Sequence, residues 1–159
     1  MRKTAFGLIL MLLIAASPLL AQSPHFVSAS AAGPDSDGDL RVSFKEAGLG
    51  SNVLINYLAS ANATATYACI NRGGNNPQAS NKQTVAGPVG TPGTFSSGKN
   101  GQINQSLTIS PPSPGKFSCP GGQELVLADV TYTNVTITDT TNNVSATIPG
   151  TFSRTFFNF

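Results

Sequence analysis

Residues 53–70, VLINYLASANATATYACI, decide the fold of this chain. From position 53 to position 69 every second residue is apolar or aromatic. The positions between them carry polar side chains at Asn56, Ser60, Asn62, Thr64 and Thr66. Because successive side chains on a strand point to opposite faces, this period of two predicts a strand with one buried face. A helix would instead repeat its apolar positions at spacings of about three and four.

The predicted central strand is longer than most. Fully extended, it would run about 56 Å, whereas ordinary strands have roughly 3 to 10 residues. We therefore expect a bend, a break or a bulge in it, and the alanine-rich residues 59–63 are the expected place because small side chains allow one.

The N-terminus has the layout of a secretory signal peptide. Arg2 and Lys3 precede an uncharged apolar run, residues 5–16, and the expected cleavage follows Ala21. The run is shorter than the roughly 20 residues that a transmembrane helix needs. The sequence thus predicts a signal peptide at 1–21, a flexible N-terminal tail at 22–38, a single domain at 39–159 and no transmembrane segment in the mature chain.

Composition argues against several classes of partner. Charged residues make up 10% of the chain, against about 25% in typical domains. The net charge is +2, and two of the positive residues belong to the predicted signal peptide. With no basic patch left, nucleic acid is not an expected partner. A surface of Ser, Thr, Asn, Gln and Gly suits a secreted or periplasmic protein.

Two cysteines, Cys69 and Cys119, remain in the predicted secreted chain. In an oxidising compartment a disulfide is the expected state of such a pair, and two free buried thiols are the alternative. Two cysteines and one distant histidine do not complete a zinc shell, so no metal site is expected.

Further strands are predicted on both sides of the central one. Alternation predicts strands at 40–45, 84–89, 94–97, 103–109, 124–138, 144–148 and 151–159, and a hairpin turn at 98–101. Pro88 suggests a sheet edge, and a change of parity near Thr133 and Asn134 predicts a bulge. Several short strands separated by turns indicate an antiparallel β-sandwich or barrel. A sandwich, immunoglobulin-like or jelly-roll-like, is favoured because two sheets bridged by one disulfide need no closure geometry.

Catalytic machinery is not evident. His25 is the single histidine and falls in the predicted tail, so no Ser-His-Asp or Cys-His arrangement is indicated. The carboxylates that a cleft might gather are Glu46, Glu124, Asp129 and Asp139. We predict no catalytic residue and no cofactor.

An acidic segment can be compared with a calcium-binding loop. Asp35, Asp37, Asp39 and Glu46 match ligand positions of the pattern D-x-D-x-D-G-x5-E, but Leu40 stands where the pattern needs glycine. A solvated acidic turn before the first strand is the favoured interpretation.

Threonines occur in T-x-T pairs at 64 and 66, 131 and 133, and 136 and 138. A flat threonine array can contact ice or a polymer surface, although threonine also simply suits the wet face of a strand. No tryptophan is present, so a platform for stacking sugar rings is weakly supported.

Five segments carry a resemblance to a group of proteins. They are FKEAGLG (44–50), ATATYACIN (63–71), TFSSGKNGQI (94–103), FSCPGGQ (117–123) and VTYTNVTITDTTNNVSATIPGTFSR (130–154). Together they resemble small secreted proteins of soil microbes to which no activity is assigned. The resemblance implies secretion and transfers no functional residue.

The sequence therefore predicts a secreted, disulfide-linked β-sandwich that binds an unknown extracellular ligand or surface, or is a structural surface component. A carbohydrate- or polymer-binding module is the first alternative, and an enzyme with an unrecognised site is the second.

Overall fold

The computed structural model describes residues 23–71 and 81–158. Within these ranges the chain forms eight β-strands and no helix. The strands are β1 (His25–Ala32), β2 (Leu40–Ala47), β3 (Leu54–Asn71), β4 (Lys82–Ser96), β5 (Ile103–Ile109), β6 (Gln123–Asp139), β7 (Val144–Ile148) and β8 (Phe152–Thr155). The predicted signal peptide at 1–21 and most of the predicted loop after Asn71 lie outside the described residues.

The strands form two antiparallel sheets that pack against each other. One sheet has three strands in the order β1-β2-β5, and the other has the order β4-β3-β6-β7, with β8 also paired to β6. The predicted all-β sandwich is confirmed. The order matches the immunoglobulin-like arrangement. In it, β1, β2 and β5 form one sheet, β3, β6 and β7 form the other, and β4 extends the second sheet beside β3.

Strand β3 lies at the centre of the larger sheet, as its alternation predicts. It pairs with β4 along one edge and with β6 along the other. Its buried face consists of Ile55, Tyr57 and the four alanines at 59, 61, 63 and 65. The buried period is shorter than predicted at its start, because Val53 is 37% exposed and precedes β3. At its other end Cys69 is buried, as predicted, and the half-buried Tyr67 packs against the core.

The predicted bulge near Asn134 is confirmed. Ser60 pairs with Thr136 and Asn62 with Thr133, so the single residue Ala61 of β3 faces two residues of β6. Asn134 has a φ of 53°, in the left-handed region that asparagine tolerates. The shift falls inside the predicted 59–63 region, but β3 runs through it unbroken because the extra residue is on β6.

The predicted flexible tail at 22–38 is wrong over its first half. His25 to Ala32 form β1, which pairs with β2. Phe26, Ala29 and Ala31 pack against the core, but a register shift at Val27 changes the parity between them. That bulge hides the period of two, which is why the segment looks structureless in the sequence.

The two short strands predicted at 84–89 and 94–97 are also wrong, since one edge strand, β4, spans Lys82–Ser96. Pro88 and Pro92 are four residues apart and therefore share a parity, so both occupy positions where a backbone N–H would point away from β3. The edge position that Pro88 suggests is confirmed. The turn at 98–101 is not a hairpin, because it joins β4 to β5 of the other sheet.

Candidate functional site

The structure brings two of the four flagged carboxylates together, inside the sandwich. Glu46, at the end of β2, and Asp139, at the end of β6, are both fully buried. Asp129 is half-buried on the opposite face of β6, and Glu124 is exposed near the start of that strand. The acids do not line a common cleft.

Glu46 bonds across the two sheets. The Tyr57 hydroxyl donates to Glu46 Oε2 at 2.6 Å, and Tyr57 is itself buried in β3 of the larger sheet. The ring centroid of Phe44 lies 4.6 Å from that of Tyr57. The ring centroids of Phe26 and Phe95 lie 6.4 and 6.0 Å from that of Tyr57, within the range over which aromatic pairs interact. The carboxyl therefore sits against an aromatic wall.

Asp139 anchors the turn between β6 and β7. Its Oδ1 accepts from the backbone N–H groups of Thr141 and Asn142 at 2.8 and 2.9 Å. Its Oδ2 accepts from Asn142 Nδ2 at 2.6 Å. The neighbouring Thr140 donates its N–H to Asn56 O at 2.8 Å, which ties the turn to β3.

The electrostatics of this cluster follow from its burial. Burial raises the pKa of Glu46 from 4.5 to about 7, the Tyr57 hydrogen bond opposes that rise, and the adjacent Asp139 carboxyl adds to it. Burial, followed by the Glu46 hydrogen bond and charge, raises the pKa of Tyr57. The cluster can hold or release a proton, but its full burial keeps both carboxyls away from a substrate.

The acids of the segment compared with a calcium-binding loop are not brought together. Asp35 Oδ1 accepts from the N–H groups of Asp37 and Asp39 at 2.9 and 3.0 Å, which closes a tight acidic turn. Glu46, the twelfth position of the pattern, points into the core and bonds to Tyr57. Over 23–71 and 81–158, no group of three or more His, Cys, Asp or Glu side chains is placed to hold a metal ion.

The predicted disulfide is present. Cys69, in β3, is joined to Cys119, in the irregular connection before β6, with Cα atoms 5.5 Å apart and a sequence separation of 50. Cys69 is 1% exposed and Cys119 is half-buried. His25 lies in β1, is exposed, and has its Nδ1 2.8 Å from Ser23 O.

The outer face of the five-stranded sheet forms one surface, which we call the polar face. It follows the residues of β3 that point away from the core, with their partners on neighbouring strands. Its members are Thr84, Ala86, Pro88, Gly90, Pro92, Thr94 and Ser96 of β4; Leu54, Asn56, Leu58, Ser60, Asn62, Thr64 and Thr66 of β3; Asp129, Thr131, Thr133, Thr136 and Thr138 of β6; and Ser145, Thr147, Ser153 and Thr155 of β7 and β8.

Hydroxyl groups dominate the polar face and lie in register from strand to strand. Ser60 and Thr136 are hydrogen bonded at 2.7 Å, and Thr138 and Ser145 at 2.9 Å. Asp129 is the one charged residue among these positions, and the same side of the sheet carries Lys82 and Glu124 beyond Thr66. The T-x-T pairs of the sequence therefore all belong to one surface, which their spacing along the chain does not reveal.

The outer face of the three-stranded sheet is different in charge. It carries Arg41 and Lys45 of β2, and Arg41 Nε donates to Ser106 Oγ of β5 at 3.1 Å. Its exposed residues include Asn104 of β5, opposite Lys45. Both faces are outer faces of antiparallel sheets, but this one carries two positive charges near its centre.

One end of the polar face is apolar. Leu54 is 66% exposed and Leu58 is 38% exposed, and Leu58 pairs with Pro92 of β4. Exposed aromatic rings do not occur on this face, because Tyr57 and Tyr132 point into the core and the Tyr67 hydroxyl donates to Pro112 O at 2.8 Å.

Sequence reasoning missed the Glu46–Asp139 pair, although part of its signal is present. Glu46 has the parity of Leu40, Val42 and Phe44, and Asp139 has that of Ile137. Alternation therefore places each acid on a buried face. That the two faces meet at this point depends on the sheet order.

We compared the chain with known protein families, curated proteins and solved structures. No family model, curated protein or solved structure matches the chain. Within the part of the chain that the structure describes, no helix is long and apolar enough to cross a membrane.

Proposed function

We propose that this protein is a secreted, non-catalytic β-sandwich that binds an uncharged, hydroxyl-rich extracellular polymer through its polar face. The observation that carries the proposal is the composition of that face across five paired strands, where Asp129 is the only charge among the outward-pointing residues of β3 between 54 and 66 and their partners, and Lys82 and Glu124 lie beyond one end. A low charge content and one disulfide are compatible with the extracellular setting.

Desolvation and repetition both favour a neutral polymer as the ligand of the polar face. Adjacent strands lie about 4.8 Å apart and alternate residues about 6.8 Å apart, so the hydroxyls form a two-dimensional array. A charged face would lose strongly bound water on meeting a neutral polymer, whereas hydroxyl and amide groups exchange one hydrogen bond for another at small net cost. Many weak contacts along a chain of repeating units then add up through avidity.

The absence of exposed rings on the polar face also shapes the proposal. Modules that grip single sugar chains use aromatic stacking, and the tyrosines of this region point inward or bond to backbone. The polar face suits an extended polymer surface that presents hydroxyls and small apolar groups, the latter meeting Leu54 and Leu58.

The test is co-sedimentation of the mature protein with insoluble neutral polysaccharides, such as cellulose and chitin, and with charged resins for comparison. Asn62→Lys places a charge in the centre of the polar face, and Asn104→Lys places the same charge on the other sheet. Both asparagines are exposed strand residues, so the pair is matched.

We expect a neutral polymer to retain the parent protein and the Asn104→Lys variant, and to release the Asn62→Lys variant. Equal retention of both variants would show that the polar face is not the binding surface. No retention on any neutral polymer, with folding intact, would refute polymer binding.

A further inference from the structure

The buried acids link three strands and both sheets. Glu46 comes from β2, Tyr57 from β3 and Asp139 from the end of β6, where Asp139 also pairs with Tyr57 in the ladder. Asp139 in turn holds the turn at 139–143 through the N–H groups of Thr141 and Asn142. This cluster therefore couples the packing of the two sheets to the shape of that turn.

One atom of the cluster lacks a partner. Glu46 Oε1 is the sole buried side-chain nitrogen or oxygen atom without a hydrogen bond, counted over 23–71 and 81–158. An unsatisfied buried polar atom costs about 1–3 kcal/mol, and more when it is charged. Glu46 Oε2 accepts from Tyr57, and the oxygens of Asp139 accept from the turn. Asp139 pairs with Tyr57 in the ladder and acts on Glu46, so the carboxyl next to Glu46 is itself occupied as an acceptor.

A proton on Glu46 would remove the cost of the unpartnered oxygen. Two adjacent carboxylates repel each other, and in such pairs one pKa rises until the pair holds a proton. A proton on Glu46 Oε1 turns the orphaned acceptor into a donor toward the Asp139 carboxylate, while Oε2 still accepts from Tyr57.

We propose that Glu46 and Asp139 share one proton that latches the turn at 139–143 onto the two sheets, and that loss of this proton releases the turn. The device is a pH-sensitive latch built into one end of the sandwich. It is independent of polymer binding, and its test does not use that activity.

The groups that face Glu46 support the direction of the effect. Burial raises its pKa from 4.5 to about 7, with a further rise from Asp139 of β6; the hydrogen bond from Tyr57 of β3 and the charge of His25 of β1 lower it. The folded protein thus holds this proton more tightly than the unfolded chain. The resulting stability is fully present below about pH 4.5 and is lost as the pH rises through about 7.

The experiment compares Glu46→Gln with Glu124→Gln. A glutamine at position 46 imitates the protonated acid, since its oxygen can accept from Tyr57 and its amide can donate to Asp139. Glu124 is an exposed glutamate in β6, so its replacement removes a charge without touching the latch.

Amide hydrogen exchange at Thr141 and Asn142 is the local readout. After correction for intrinsic rates, exchange in the parent protein and in Glu124→Gln should rise about tenfold or more between about pH 5 and about pH 8, because each unit of pKa difference corresponds to a factor of ten. In Glu46→Gln it should stay nearly constant. His25 is present in all three proteins, so a response of the imidazole would persist in Glu46→Gln and be recognised.

Two results would overturn the latch. One is an equal pH response in the parent and in Glu46→Gln. The other is a carboxyl carbon signal of Glu46, followed by NMR in the parent protein, that titrates near the ordinary value of a glutamate. The second measurement needs no variant, so it decides the matter even if Glu46→Gln fails to fold.

Discussion

Removal of the Cys69–Cys119 bridge should destabilise the domain strongly. The bridge spans 50 positions of sequence, and the chain-entropy model assigns a loop of that size about 4 kcal/mol of stabilisation at 25 °C. Native domains have only about 5–15 kcal/mol in total. For a domain of this length, 1 kcal/mol shifts the melting temperature by about 3 °C, so we expect a loss of about 12 °C.

The structure also predicts which residues lose stability when the bridge is removed. Cys119 lies in the irregular connection between β5 and β6, and the bridge pins this connection to Cys69, whose backbone pairs with Leu125 of β6. Without the bridge, the connection and the first residues of β6 should exchange their amide hydrogens faster, while the far end of β6 around Ile137 stays protected.

The assay is thermal unfolding of Cys69→Ala, Cys119→Ala and the double variant, alongside the parent protein with and without reductant. The two single variants should lose similar amounts and the double variant little more, because all three remove the same cross-link. The native, unreduced protein should show no thiol that a labelling reagent can reach, since neither cysteine is free. Labelling of both positions in the native protein, or a double variant that loses twice as much as either single one, would refute the reasoning.

Three further predictions concern the described strands and turns. Tyr132→Phe should cost about 1 kcal/mol in urea unfolding, because the buried hydroxyl donates to Gly38 O at 2.8 Å and lies 3.3 Å from Ile109 O; an unchanged midpoint would mean that water takes its place. Asn134→Ala should lower stability by about 1–2 kcal/mol and Asn134→Gly by much less, because the φ of 53° suits glycine and asparagine; equal losses in the two variants would contradict a conformational cause. Millimolar calcium should leave the melting temperature unchanged, since a ligand bound only to the native state must raise it; a clear rise that Asp37→Ala abolishes would show that the acidic turn binds the ion.

Much of the strand content is predictable from local pattern. Residues 40–45, 103–109 and 144–148 alternate clearly, and the structure forms β2, β5 and β7 there. The bulge at Asn134 is predictable as well, because an extra residue changes the parity of everything after it. The same effect at Val27 conceals β1, since a segment of eight residues is too short to show a period on both sides of a bulge.

The carboxyl pair and the polar face could not be predicted from local pattern. Alternation assigns Glu46 to a buried face but says nothing of what it meets there, because Asp139 is distant in sequence and its approach depends on β2 packing over β3 and β6. The polar face is likewise invisible as a unit. Thr64, Thr131 and Ser153 form one row only because β3, β6 and β8 pair in that register.

The sequence by itself determined the β class, the central strand and the cysteine pair. These depend on the two-residue repeat of an extended backbone and on the chemistry of thiols, both of which act locally or by residue type. Only the tertiary structure decided which carboxyls lie together and which hydroxyls share a surface. Strand order and register join residues that are far apart in the chain, and they are set by how the buried faces of Ile55, Tyr57 and Phe44 pack together.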